Sequence, residues 1–338
     1  MSLKSGIITF LLMISTVVCE SILAGTAVFT HAETNKSVGA FFCPDTVTND
    51  SPRSITGLNH SIAEGRLRIL TDSLAAIIEG KKYSQGQAGL VVEIEAILSD
   101  STISDTLLLS DAFYFTGIHY SQTNNSARAI NYFSISAKYR EQLSLCDRRY
   151  SNGLSNLSAS LFITGDYPKA YSEALKALEI RKKVSGPDSS VMVTNYLNLA
   201  SICLELNDPD KATAFAEAGL EISRIFPDNV PAKPRADLLQ VIGLSLYRRQ
   251  EYNKSLVYCR EALRIYETDK LNSVDSRILL YNTIAQVCRR LDQADDAEEY
   301  FRKGLAIKDG PMTRDKYLLY INYANFLAEN GRIREGER

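Results

Sequence analysis

Tryptophan is absent from this 338-residue chain, and only three histidines occur, His31, His60 and His119. So few imidazoles leave little material for a histidine-built metal site or a Ser-His-Asp arrangement. Nine prolines and 18 glycines are too few for a collagen-like or low-complexity chain. Neither sign of charge dominates: 38 Lys and Arg stand against 40 Asp and Glu, for a net charge of −2. That balance gives no global attraction to nucleic acid or to an anionic membrane surface. The six cysteines, at 19, 43, 146, 203, 259 and 288, include no CxxC pair. Cys203, Cys259 and Cys288 fall at positions that suit small apolar side chains, so they are expected as buried free thiols. Also missing are a phosphate-binding glycine loop, HExxH, GxSxG and the kinase signature set. These absences predict a non-enzyme with no metal, no cofactor, no small-molecule substrate and no nucleic-acid partner.

Long apolar runs are confined to the start. Lys4 precedes Gly6 to Cys19 (GIITFLLMISTVVC), which Glu20 ends, and small residues follow to Ala27 and Ala32. A basic start, a short apolar core and small residues form the pattern of a signal peptide over 1–32. An uncleaved anchor would have to hold Glu20 in hydrocarbon, at considerable cost. The expected location is therefore outside the cytoplasm, with any membrane link made only through this segment. Residues 33–58 are turn-rich and read as a linker.

The strongest signal is an internal repeat. Small residues at Ala129, Ala170, Ala212, Ser255 and Ala297 recur at spacings of 41, 42, 43 and 42. Twelve residues before each lies another small one: Gly117, Ser158, Ala200, Gly243 and Ala285, with Ala324 standing twelve before Gly336. Sixteen before, a ring or leucine recurs as Phe113, Leu154, Tyr196, Leu239, Tyr281 and Tyr320. Phe133, Ala174, Ala216, Cys259 and Phe301 follow at +4, and Ser136, Ala177, Gly219, Ala262 and Gly304 at +7. Steps that mix i+3 and i+4 with one short break mean two amphipathic helices per unit. Where helices cross closely only a small side chain fits, and a ring fills the space beside the contact.

The breakers agree with that register. Gly165, Asn207 and Gly331 separate the helices of a unit, where positive φ is wanted. Pro168 and Pro209 fall in the first turn of a second helix, and Pro187, Pro227, Pro231, Pro234 and Pro311 are expected in connections. In residues 59–104 the periodicity continues more weakly, with Ala76 and Ala88 keeping the twelve-residue step, as in a degenerate first repeat.

GDYPKAYSEALKALEIRKKVSGPDS (165–189) followed by YLNLA (196–200) resembles tetratricopeptide repeats, in the longer variety of about 42 residues found in kinesin light chain. The resemblance spans residues 105–338 and departs from the family in having Tyr, Phe or Leu where Trp often stands. It implies an all-α, right-handed α-solenoid of stacked antiparallel hairpins, with first helices lining the concave side. By that resemblance the groove positions are Leu197, Ser201, Gln240, Tyr247, Arg248, Asn282, Gln286, Arg289, Arg290 and Asn325.

The function expected is a non-catalytic scaffold that binds a protein or peptide segment in the groove. Arg248, Arg249, Arg289 and Arg290 suggest a clamp for acidic residues in that segment. The competing explanation is that cations at helix C-termini complement the macrodipole and pair with nearby acids. Arg181–Lys183 reads as a solvated face, and Asn156, Asn198 and Asn322 as tethers between units. The alternative function is the sensing region of a larger signalling protein. It rests on a last helix, about 316–329, expected to expose Leu319, Tyr320, Tyr323, Phe326 and Leu327.

Overall fold

A computed structural model describes residues 60–80, 86–99, 103–186, 190–269, 273–308, 312–332 and 336. The signal segment and linker expected over 1–58, with Cys19 and Cys43, lie outside the described residues. The described chain is all α-helical apart from turns and one short 3₁₀ stretch, and divides into two units between Gly186 and Pro187.

The first unit holds α1 (His60–Ile78), α2 (Gln87–Leu98), α3 (Thr106–Gln122), α4 (Ser126–Gln142), α5 (Arg148–Ile163) and α6 (Tyr167–Ser185). The second holds α7 (Val193–Glu205), α8 (Pro209–Ile225), α9 (Ala232–Arg248), α10 (Tyr252–Thr268), α11 (Val274–Arg290), α12 (Ala294–Leu305) and α13 (Arg314–Glu329). Within each unit consecutive helices pack as antiparallel hairpins, and the hairpins stack side by side. The architecture is an α-solenoid of helical hairpins, as the repeat period implies.

Local chemistry fixes the ends of the helices. Asp105, Asn125, Asp147, Asp166, Asp208 and Thr313 each accept a hydrogen bond from the backbone N–H three residues on, capping the helix that follows. The tight turn inside each hairpin needs one residue in the left-handed region, five before the second-helix small residue. Gly165 (φ 84°), Asn207 (57°) and Gly331 (74°) supply it as expected, and Asn124, Gln250 and Asp292 adopt it without glycine's freedom. Pro234 corrects one expectation: it lies inside the first turn of α9 rather than in a connection. Its missing N–H costs nothing there, because the first-turn amides have no helical acceptor.

The small-residue columns do two jobs. Inside a hairpin, a Cβ added to Gly243 would lie 2.4 Å from Cys259 Sγ, and one added to Gly117 would lie 2.8 Å from the Phe133 ring. Between hairpins, a Cβ on Gly304 would meet Leu319 of the next first helix at 2.8 Å, with Tyr281 Cβ of its own hairpin at 3.2 Å. Of the twelve-step residues, Gly117, Ala129, Ser158, Ala170, Ala200, Ala212, Gly243, Ser255, Ala285 and Ala297 are buried, and Ala324 is half-buried. Two of these pairs are also hydrogen-bonded: Ser158 Oγ donates to the Ala170 carbonyl and Ser255 Oγ to the Gly243 carbonyl, each at 2.7 Å.

Three readings are corrected by packing. Ala88 is exposed and Ala76 only half-buried, because α1 and α2 meet through Leu67, Leu70, Leu74, Val91 and Ile94 instead of a close small-residue crossing. The flank of α13 is mostly covered: Leu319, Phe326 and Leu327 are buried, Tyr323 is half-buried, and Tyr320 stays 45% exposed. It packs against α11 and α12, so of the apolar flank expected to be exposed only Tyr320 is, with Tyr317 exposed beside it. Arg181, read as part of a solvated run, is 6% exposed.

Arg181 belongs to a column missed in the sequence, at +11 from the second-helix small residue. That column continues the inward face by one more turn and reads Arg140, Arg181, Ser223 and Tyr266, all buried. A polar residue there needs a partner, and the facing first helix provides one in three hairpins. Arg140 bonds Asp111, Arg181 bonds Asn152 and Tyr266 bonds Asp237.

Candidate functional site

The residues assigned to a groove lie on α7, α9, α11 and α13, the first helices of the second unit. Gln240, Asn282 and Leu197 stand three before the small residue of their helix, and Ser201, Gln286 and Asn325 stand one after. These offsets are one helical turn apart, so they form one stripe on each helix. Leu197, Ser201, Gln240, Asn282 and Gln286 are buried, Tyr247, Arg248, Arg289 and Asn325 are half-buried, and Arg290 is exposed.

Two glutamines set this stripe apart. Gln240 is 2% exposed and Gln286 1%, yet neither the Oε1 nor the Nε2 of either amide has a hydrogen-bond partner among the described residues. Ser201 Oγ is buried in the same state. Buried polar atoms are nearly always bonded in folded proteins, since stranding one costs about 1–3 kcal/mol. Neighbours on the stripe are satisfied: Asn322 Nδ2 donates to Asn282 Oδ1 at 2.9 Å, joining α13 to α11. That bond bears on the expected asparagine tethers, and here two side chains make the tether.

The arginines do not stand as an open cationic patch. Arg248 donates to the Leu204 carbonyl at the end of α7, and burial pushes its guanidinium down to about 10. Arg249 pairs with Asp210 at 3.1 Å and Glu251 at 2.7 Å, and Arg289 with Glu329 at 3.2 Å. Arg290 hydrogen-bonds Tyr247. Each cation is engaged at a helix end, the simpler of the two explanations offered by the sequence.

Other chemistry is thin. Among the described residues no group of His, Cys, Asp and Glu is placed to hold a metal ion, and no helix is long and apolar enough to cross a membrane. Cys203, Cys259 and Cys288 are buried free thiols, and burial pushes the first two up to about 12, far from a nucleophile's range. Cys146 is exposed.

Stacked hairpins with small residues at the crossings from α3 onward define a helical-repeat protein. Residues 150–225 and 235–309 match the tetratricopeptide-repeat family, and the chain carries tetratricopeptide repeats there. No curated protein matches the chain as a relative. Among solved structures it is similar to the apo form of RapI, with 18% identity over 82% of this chain and 73% of that one, at a TM-score of 0.59. Aspartyl phosphate phosphatase F from Bacillus subtilis is similar at 14% identity, covering 84% and 85%, TM-score 0.56. A Rap protein complexed with Competence and Sporulation Factor is similar at 15% identity, covering 82% and 75%, TM-score 0.53. At such identities the likeness is one of fold.

Proposed function

We propose that this chain is a non-catalytic scaffold that grips a peptide or protein segment along the first helices of its second unit. The observation that carries the reading is the tetratricopeptide-repeat match over 150–225 and 235–309, beside which Gln240 and Gln286 on α9 and α11 keep donor and acceptor unpartnered among the described residues. A carboxamide offers one acceptor and two donors on one plane. It therefore complements the main chain of an extended segment, whatever side chains that segment bears. The tetratricopeptide-repeat match supports a binding role, and one protein of similar fold was solved with Competence and Sporulation Factor. The occupied arginines favour main-chain recognition over an acid clamp.

The test is a selection of random peptides on the purified chain, followed by photo-crosslinking of a selected peptide. Crosslinks to α9 and α11 of the second unit are expected. Crosslinks confined to the outer helices α10 and α12 would overturn the reading.

The proposed site of action is outside the cytoplasm, on the strength of Lys4 and the apolar segment Gly6 to Cys19. N-terminal sequencing of the natural protein tests it. A start near Val28 or Glu33 is expected, and an intact Met1 would contradict it.

A further inference from the structure

Between α1, α3 and α5 of the first unit lies an open cavity of about 510 Å³. Its apolar lining is Ile78, Leu107, Phe115 and Ile118. Its polar lining includes Tyr114, Asn152, Arg148 and Arg149. Arg140, Asp111, Asp147 and Glu79 complete the charged groups at its lining.

At the lining Asp111, Asp147 and Glu79 match Arg140, Arg148 and Arg149 in number, so the cation in excess is Arg181, just beyond it. Arg140, 2% exposed, is shared between Asp111 and Asp147, and Arg149 also reaches Asp111 while its guanidinium lies 5.1 Å from the centre of the Phe115 ring. Asp111 and Asp147 are thus consumed by Arg140 and Arg149. Just beyond this lining Arg181, 6% exposed, donates to the amide oxygen of Asn152, and among the described residues it has no carboxylate and its Nε no partner. In the hairpin before, the residue at this register is Asp111, a carboxylate, and in this hairpin it is Asn152, an amide. A buried guanidinium with no carboxylate is an expensive arrangement unless an anion comes to it. Burial and the nearby Arg148 both hold the Arg181 guanidinium below its usual range.

The hydrogen bonds run outward from that charge. With its oxygen taken by Arg181, Asn152 uses its N–H to donate to the Tyr114 hydroxyl, while burial holds that phenol above its ordinary range and keeps it protonated. The Tyr114 hydroxyl, already an acceptor, then has its own proton to give to something in the cavity. Arg148 and Arg149 flank the same space.

We infer that this cavity is a binding site for a small organic anion, an oxyanionic head group on an apolar body. The head group, carboxylate or phosphate, takes the Tyr114 hydroxyl and the Arg148 and Arg149 guanidiniums, and offsets the charge of Arg181 through Asn152. The body lies on Phe115 and Ile118. This site lies wholly in the first unit and is independent of the peptide reading.

Calorimetry on the full chain at fixed ionic strength tests it, with phenyl phosphate and benzoate as probes and benzyl alcohol as the neutral control. Saturable binding of either anion is expected, and which one binds identifies the head group. Benzyl alcohol is expected not to bind. Asn152→Asp gives Arg181 its missing carboxylate, so it should weaken anion binding by ~10-fold or more and raise the thermal midpoint of the ligand-free protein. Tyr114→Phe should weaken binding ~5-fold with its helicity unchanged. Arg264→Gln, at an exposed pair with Glu261 on α10, should leave binding as it is. The inference is overturned if neither anion saturates, if benzyl alcohol binds equally, or if Asn152→Asp and Tyr114→Phe both bind like the parent.

Discussion

Arg140 on α4 reaches back to Asp111 on α3, 29 residues earlier, and the bonds Arg181 to Asn152 and Tyr266 to Asp237 span the same 29. The pairing ties three hairpins together at the end away from their tight turn. A buried polar clasp of this kind sets register, because each member is costly without the other.

Asp111→Ala should therefore destabilise the first unit by about 2 kcal/mol, since it takes one of two carboxylates from buried Arg140 and the ion-pair partner from Arg149. The double variant Asp111→Leu with Arg140→Met should recover most of that loss, as an apolar pair of similar volume. Urea unfolding of the three proteins decides. Equal stability of Asp111→Ala and the parent would remove the clasp from the account.

Gly243→Ala places a methyl 2.4 Å from Cys259 Sγ, with the Cys259 backbone nitrogen at 3.3 Å behind it. A destabilisation of about 1–3 kcal/mol is expected from overpacking. Cys259→Ala in the same chain should relieve part of it, because the two sites share one contact. Additive losses in the double variant would place the crossing elsewhere.

Asp315, in the first turn of α13, is pushed up from 3.8 to about 6, mainly by burial and then by Asp275. The folded state holds the proton more tightly than the unfolded chain does. Its contribution is neutral below about pH 4, grows unfavourable as pH rises, and reaches its full cost above about 6. With partial solvent contact discounted, that cost is roughly 2 kcal/mol. Asp315→Asn should raise the thermal midpoint at pH 7.5 and leave it unchanged at pH 4. The same rise at both pH values would mean that ionisation is not the cause.

Much of this was legible in the residues because close helix crossings tolerate only Gly, Ala, Ser or Cys, and that restriction repeats visibly. Gly243, Ser255 and Cys259 could be placed in contact from spacing alone. The polar clasp was harder to see, since its members share burial and register but no chemistry: arginine twice, then serine, then tyrosine. Arg181 looked like one of three solvated cations because Lys182 and Lys183 follow it, and only its offset from Ala170 marks it as inward. The partners of the arginines at the ends of α9 and α11 were hidden for the opposite reason. Their chemistry was plain in the sequence, but Leu204, Asp210 and Glu329, which occupy them, come from other helices.

The measurement that bears most directly on the account is the affinity of a selected peptide for the parent chain and for Gln240→Leu and Gln286→Leu. Removing an amide that has no partner in the folded chain should leave thermal stability equal or higher, while affinity falls ~10-fold or more because the peptide loses bonds it alone can make. Unchanged affinity in both variants would contradict the assignment of the first-helix stripe as the binding surface.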